Sequence, residues 1–158
     1  MMTEQLSRVE ERLNAMQLAV PPVAAPVAAY VPAVEHAGVV YTSGQLPFVD
    51  GELQAVGKLG AELDEDAGIA MAGIACLNAI AAVKSIIGDL DRVTRVLKVT
   101  VFVASAPGFT AQPKIANGAS ELLGTAFGDA GVHARSAVGV AELPMGSPVE
   151  VELVVAYE

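Results

Sequence analysis

One guanidinium stands in a run of small apolar residues, Ala134-Arg135-Ser136-Ala137-Val138-Gly139-Val140, and it is the group in this chain best suited to hold an anion. Nothing long beside it in the run can shield it or pair with it. An arginine keeps its charge at any working pH, and its planar fork fits a carboxylate through two parallel hydrogen bonds. Further on, Glu150 and Glu152 alternate with Val149, Val151, Leu153 and Val155, the period of a half-buried strand. The turn-rich Leu143-Pro144-Met145-Gly146-Ser147-Pro148 separates the two runs, so the pattern predicts a hairpin that brings Glu150 within reach of the arginine's strand. An arginine and a glutamate on adjacent strands can equally be a solvated pair worth under about 1 kcal/mol, and spacing alone leaves both readings open.

Other chemistries find less support. The two histidines, His36 and His133, lie in no His-Glu-x-x-His or paired-cysteine context, so no metal site is expected. Ser43 sits in Thr-Ser-Gly-Gln instead of a Gly-x-Ser-x-Gly elbow, and neither histidine stands out as its base. His133 reads as a surface or rim residue, with tuning of the pocket as the alternative. Gly57-Lys58-Leu59-Gly60 lacks the spacing of a phosphate loop, and no cofactor is expected. An arginine, a carboxylate, hydroxyls and backbone amides remain. Such a set suits a small carboxylate substrate that is itself reactive and needs only to be held while water is guided to it.

Those groups must be positioned by the elements around them. Leu6, Val9, Leu13 and Met16 predict a short amphipathic helix over Thr3 to Gln17, ended by the Pro-rich stretch from Pro21 to Pro26. We expect residues 1–20 to be an N-terminal helical extension and 21–158 a single domain. Strands follow over about Tyr30–His36 and Val39–Ser43, turning at Ala37-Gly38, with a further tight turn at Asp50-Gly51. Asp64 can cap a long helix that stops at Gly88. Its apolar residues occupy every side, so it must be covered on more than one, and in a chain this short another subunit can supply part of the cover. Cys76 and Asn78 within it read as satisfied core residues. A strand over Arg92–Ala104, a break at Pro107-Gly108 and a second helix over Gln112–Phe127 lead to the final two strands. The order β-β-α-β-α-β-β predicts a mixed α/β (α+β) domain, a single sheet with two main helices on one face.

Composition bounds the partners. The formal charge of −9 opposes a nucleic-acid surface. The polar, acidic start does not read as a secretory signal, and no apolar run reads as a membrane span. The one cysteine fits a reducing, cytoplasmic setting.

The wording of the motifs adds a resemblance. Ala134-Arg135-Ser136, Leu143-Pro144 and Val149-Glu150-Val151-Glu152 resemble the C-terminal signature of the reactive-intermediate deaminases, also called YjgF proteins and often labelled L-PSP endoribonucleases. Val39-Val40-Tyr41-Thr42-Ser43-Gly44-Gln45-Leu46-Pro47 looks like that family's strand and Ser-Gly-Gln turn, and Lys98 to Val103 looks like its central strand. The resemblance runs from about Tyr30 to Tyr157. It implies a chorismate-mutase-like fold, a homotrimer with clefts between subunits, and hydrolysis of 2-imino acids to 2-keto acids and ammonia. It implies that Arg135 clamps the substrate carboxylate and that Glu150 orients the attacking water and moves its proton. By the same resemblance Tyr30, Ser43, Gly44, Asn117 and the backbone near Ala137 line the pocket. Many relatives carry cysteine where this chain has Ala137, and proline where it has His133. A non-catalytic carboxylate-binding or sensing role is the alternative, with RNA cleavage a third.

Overall fold

The structure is a computed structural model that describes residues 5–25 and 29–158. After Ser7 comes helix α1 (Arg8–Ala15), then strands β1 (Ala33–His36) and β2 (Val39–Thr42), and a small hairpin of β3 (Phe48–Val49) and β4 (Glu52–Leu53). Helix α2 (Glu65–Ile87), strand β5 (Val93–Ala104), helix α3 (Gln112–Phe127), and strands β6 (Ala134–Val140) and β7 (Val149–Tyr157) complete the chain.

Local chemistry sets most of these boundaries. Ala37 and Gly38 both take left-handed φ, 51° and 78°, as a tight hairpin turn between β1 and β2 requires. Asp50 and Gly51 repeat this between β3 and β4. Asp64 caps α2, its carboxylate accepting from the Ala67 N–H at 2.8 Å, and Gly88 ends the helix at φ 77°. The first strand is shorter than its apolar pattern predicts. Pro32 has no N–H to give a ladder, and pairing begins at Ala33 with Thr42.

The main sheet has the order β1-β2-β7-β5-β6, with only β5 and β6 parallel. The expected hairpin of the last two strands is therefore not formed: β5 lies between β6 and β7. The stretch Ala141–Pro148 is a crossover, and Met145 within it takes φ 60°. Alternation along β5 turns Val99, Val101 and Val103 toward the helices, where they meet Val149, Val151 and Leu153 of β7. α2 and α3 cover that face. They meet at Gly118, where a Cβ would lie 2.1 Å from the Ile69 carbonyl oxygen.

At 23 residues, with an 18-residue window of mean hydropathy 1.8, α2 is long and apolar enough to cross a membrane, contrary to the expectation from sequence. It is instead a core helix, with Ala72, Ala75, Cys76, Ala79, Ile80 and Val83 buried. Leu18, Val20 and Val23 pack against this core, so part of the cover expected from a second subunit comes from the chain itself. Asn78 is satisfied, its amide donating to the carbonyls of Leu46 and Phe48 at 2.9 and 3.0 Å. Burial pushes the Cys76 thiol up to about 12.

α1 is shorter than its apolar stripe suggests, because Ser7 and Glu10 form a capping box that starts the helix there. Val9 and Leu13 are buried, whereas Leu6 and Met16 are exposed. The Asp91 carboxylate accepts from the N–H groups of Arg8 and Val9, and Lys84 pairs with Glu10 at 2.5 Å. Burial works to raise the Glu10 carboxyl, but Lys84 and Ser7 outweigh it and hold it below its ordinary value.

Among the described residues, no helix covers the other face of the sheet. Val34, Tyr41 and Val138 are exposed there, and Glu150, Glu152 and Phe102 are half-buried.

Candidate functional site

Strand β6 is an edge strand, and its register with β5 aims Arg135 to the helical side, beside Val99. Along α3, Pro113, Asn117 and Ser120 fall at i, i+4 and i+7, a stripe that faces the arginine. Arg135 Nη1 donates to Asn117 Oδ1 at 2.8 Å and to Ser120 Oγ at 3.1 Å, and Nη2 donates to the Pro113 carbonyl at 3.3 Å. Three of the five guanidinium N–H groups are thus engaged, which leaves Nε–H and one on Nη2. The arginine can only donate, so it fixes the Asn117 amide with its oxygen inward and its NH₂ outward. Every free group at this point is a donor. Ala137, two residues along β6, turns the same way beside Val101 and packs against the core.

Ser120 was not singled out from sequence, and the structure joins it to His133. His133 Nε2 lies 2.8 Å from Ser120 Oγ, and its Nδ1 lies 2.6 Å from the Gly131 carbonyl oxygen. His133 is half-buried between the exposed Val132 and Ala134, with both ring nitrogens engaged. The helical spacing of Ser120 from Asn117, i and i+3 on one face of α3, was the signal that could have found it. His133 carried none, since its partner is remote in sequence.

The second group of candidates gathers at the β2–β7 side. Gln45 exchanges backbone hydrogen bonds with Val151 at 2.8 and 3.0 Å, laying the Ser43–Pro47 loop along β7. Asn78 holds that loop from below through Leu46 and Phe48. The consequence is contact between Gly44 and Glu150: a Cβ on Gly44 would lie 2.6 Å from Glu150 Cδ. Glu150 is half-buried on the sheet face away from the helices. Burial, with a smaller contribution from Glu152, holds its carboxyl above the ordinary value. Ser43 Oγ donates to the Val31 carbonyl at 2.6 Å and Ser43 N–H to that of Pro32 at 2.8 Å, which ties the exposed Tyr30 to the same loop.

The two groups do not meet within one chain. Arg135 pairs through Val99 with Leu153, whereas Glu150 pairs through Phe102 with Val138. They lie two strands apart, roughly 10 Å at ordinary strand spacing, and roughly another 10 Å along the sheet. Paired residues share a face, so the two side chains also point to opposite faces. A cleft of about 610 Å³ on the outer side of α2, beside Leu18, Pro21, Phe48 and Leu77, contains neither group. Among the described residues, no three His, Cys, Asp or Glu side chains come together as metal ligands.

Comparison with known proteins agrees with this arrangement of elements. The family model described as "YjgF/chorismate mutase-like, putative endoribonuclease" matches residues 10–156. The chain belongs to the YjgF family. Protein TCP17 of Trypanosoma cruzi is 44% identical to this YjgF member over 149 residues, 94% of this chain and 93% of that one. The solved structure of Atu1372 from Agrobacterium tumefaciens, a protein of unknown function, superposes with a TM-score of 0.90 at 37% identity, covering 96% of this chain and 93% of its own. TdcF of E. coli, crystallised with bound serine, gives a TM-score of 0.62 at 27% identity and covers 88% of this chain and 94% of its own. The resemblance read from the motifs is thus borne out for family and fold.

Proposed function

We propose that this YjgF protein is an imine deaminase that hydrolyses 2-imino acids to 2-keto acids and ammonia. The observation that carries the reading is Arg135: three acceptors hold the guanidinium in place and leave two N–H groups for a carboxylate. The serine bound by TdcF is a ligand of the size and charge that such an anchor accepts.

Glu150 supplies the proton chemistry. Water adds to the C=N carbon of the protonated imine while Glu150 takes its proton, giving a carbinolamine. The carboxyl then returns that proton to the amino group. Collapse of the carbinolamine forms the C=O bond as the hydroxyl proton passes to the Glu150 carboxylate, breaks C–N and releases ammonia, which carries that proton away as ammonium. A carboxyl raised by burial is suited to both directions of transfer.

Arg135 and Glu150 act together when β6 of one subunit lies against the Ser43–Gly44 loop of another, in the homotrimer that the family resemblance implies. Two features support such packing: the unpaired edge of β6, and the exposed Val34, Tyr41 and Val138 on the open sheet face. Tyr30, Ser43 and Gly44 then line the pocket from one subunit, and Asn117 and the backbone at Ala137 from its neighbour. The reaction needs no metal or cofactor, and the protein serves the reducing cytoplasm, where such intermediates arise.

The separation of the two groups in one chain favours a second reading, a carboxylate-binding or sensing protein without turnover. RNA cleavage finds less support, because the chain has 18 acidic against 9 basic residues. The deciding experiment generates 2-aminoacrylate in situ with a serine dehydratase and follows pyruvate formation with and without the protein. Acceleration lost in Arg135→Ala, with the fold retained, is expected. Full acceleration in that variant refutes the anchor, and keto-acid binding with no acceleration selects the second reading.

A further inference from the structure

We propose that His133 is a positioning residue that orients the Arg135 anchor through Ser120. The inference rests on the reading of Arg135 as a carboxylate anchor and extends it to residues outside the family motif.

The hydrogen bonds admit one direction for a neutral imidazole. The Gly131 carbonyl can only accept, so the contact at 2.6 Å places the ring hydrogen on Nδ1. Nε2 is then a lone pair, and the contact at 2.8 Å must be donated by the Ser120 hydroxyl. With its hydrogen committed to His133, that hydroxyl turns its lone pairs elsewhere. Arg135 Nη1, a donor only, meets one of them at 3.1 Å. The chain of donors runs from guanidinium to hydroxyl to imidazole to main-chain carbonyl, and each link polarises the next.

Without the imidazole, the Ser120 hydroxyl is free to rotate and can aim its hydrogen toward Arg135. Nη1 would then keep Asn117 alone as a fixed partner, and the fork could swing away from the ligand. Ser120 stands on α3 and His133 immediately precedes β6, so the pair also pins the edge strand to the helix at the level of the anchor.

The test measures pyruvate binding by calorimetry, which reads the anchor without requiring turnover. Arg135→Ala should weaken binding at least about 100-fold, a charge-assisted bidentate pair being lost. If it does not, the anchor reading itself fails. Given that loss, His133→Ala and Ser120→Ala should each weaken binding by about tenfold, the worth of one hydrogen bond. The double variant should be no worse than Ser120→Ala alone, because the histidine acts through the hydroxyl. His133→Gln, whose amide oxygen can accept from Ser120, should restore binding to within about threefold. Wild-type affinity in His133→Ala, or losses that multiply in the double variant, would overturn the proposal. The tautomer gives a check on the unaltered protein: ¹⁵N shifts of His133 should show the proton on Nδ1, and a proton on Nε2 would refute the direction of the chain.

Discussion

Gly44→Ala offers a sharp separation of chemistry from stability. Gly44 does not have a left-handed φ, so alanine is compatible with its backbone. Restricting the unfolded chain would by itself stabilise the fold by about 0.4–1 kcal/mol. The added Cβ, however, would lie 2.6 Å from Glu150 Cδ and 2.9 Å from Cγ and Oε2, where ordinary contact begins at 3.4 Å. The carboxylate carbon must therefore retreat by about 0.8 Å, which the far end of a flexible, half-buried side chain can do. A misplacement of about 1 Å in a reacting group costs roughly 100-fold, or about 2.7 kcal/mol of barrier. Imine turnover, pyruvate binding and urea unfolding are the three measurements. We expect kcat to fall about 100-fold while the keto-acid Kd moves less than about threefold, since Arg135 is untouched, and stability to change by less than about 1 kcal/mol. An unchanged kcat would show that Glu150 does not act from the position Gly44 gives it. A stability loss above about 2 kcal/mol would show that Gly44 serves the fold.

Glu150→Gln tests the environment of the same carboxyl. Its folded value is raised above the ordinary 4.5, so the folded protein binds this proton more tightly than the unfolded chain. The stability it contributes is present below pH 4.5 and is lost as pH rises through the raised value. The variant should therefore unfold at higher urea than the parent at pH 7 and at the same urea near pH 4; a gap of equal size at both pH values would contradict the assignment. Gly118→Ala places a Cβ 2.1 Å from the Ile69 carbonyl oxygen and should cost about 1–3 kcal/mol by forcing α2 and α3 apart, read as a lower urea midpoint with an unchanged slope.

Elements whose boundaries rest on local chemistry were legible in the sequence. Asp64 and Gly88 frame α2, Gln112 to Phe127 is helical as expected, and Ala37-Gly38 and Asp50-Gly51 turn as their types demand. Strand order was not legible. Val149 to Val155 alternates in the same way whether its neighbour is β6 or β5, and it is the crossover through α3, from the end of β5 to the start of β6, that makes that pair parallel. The error carried into the site: Arg135 and Glu150 were expected on paired strands, and their separation follows from the insertion of β5. Asn117 was named through family resemblance, whereas Ser120, three residues further along the same helix face, was missed. His133 is tied to Ser120 by tertiary structure that no local pattern encodes.

The pairing of β2 with β7 has a consequence for synthesis. β1 and β2 are made early and can close their hairpin at once, but β2's other partner begins only at Val149. At ribosomal rates of about 5–20 residues per second, the intervening stretch takes roughly 5 to 20 s to make. Throughout that time one edge of β2 has no strand beside it, and β5 waits for β7 as well. The nascent chain must shelter both until the strand that joins them emerges, so a message truncated before Val149 would yield two unjoined sheet fragments.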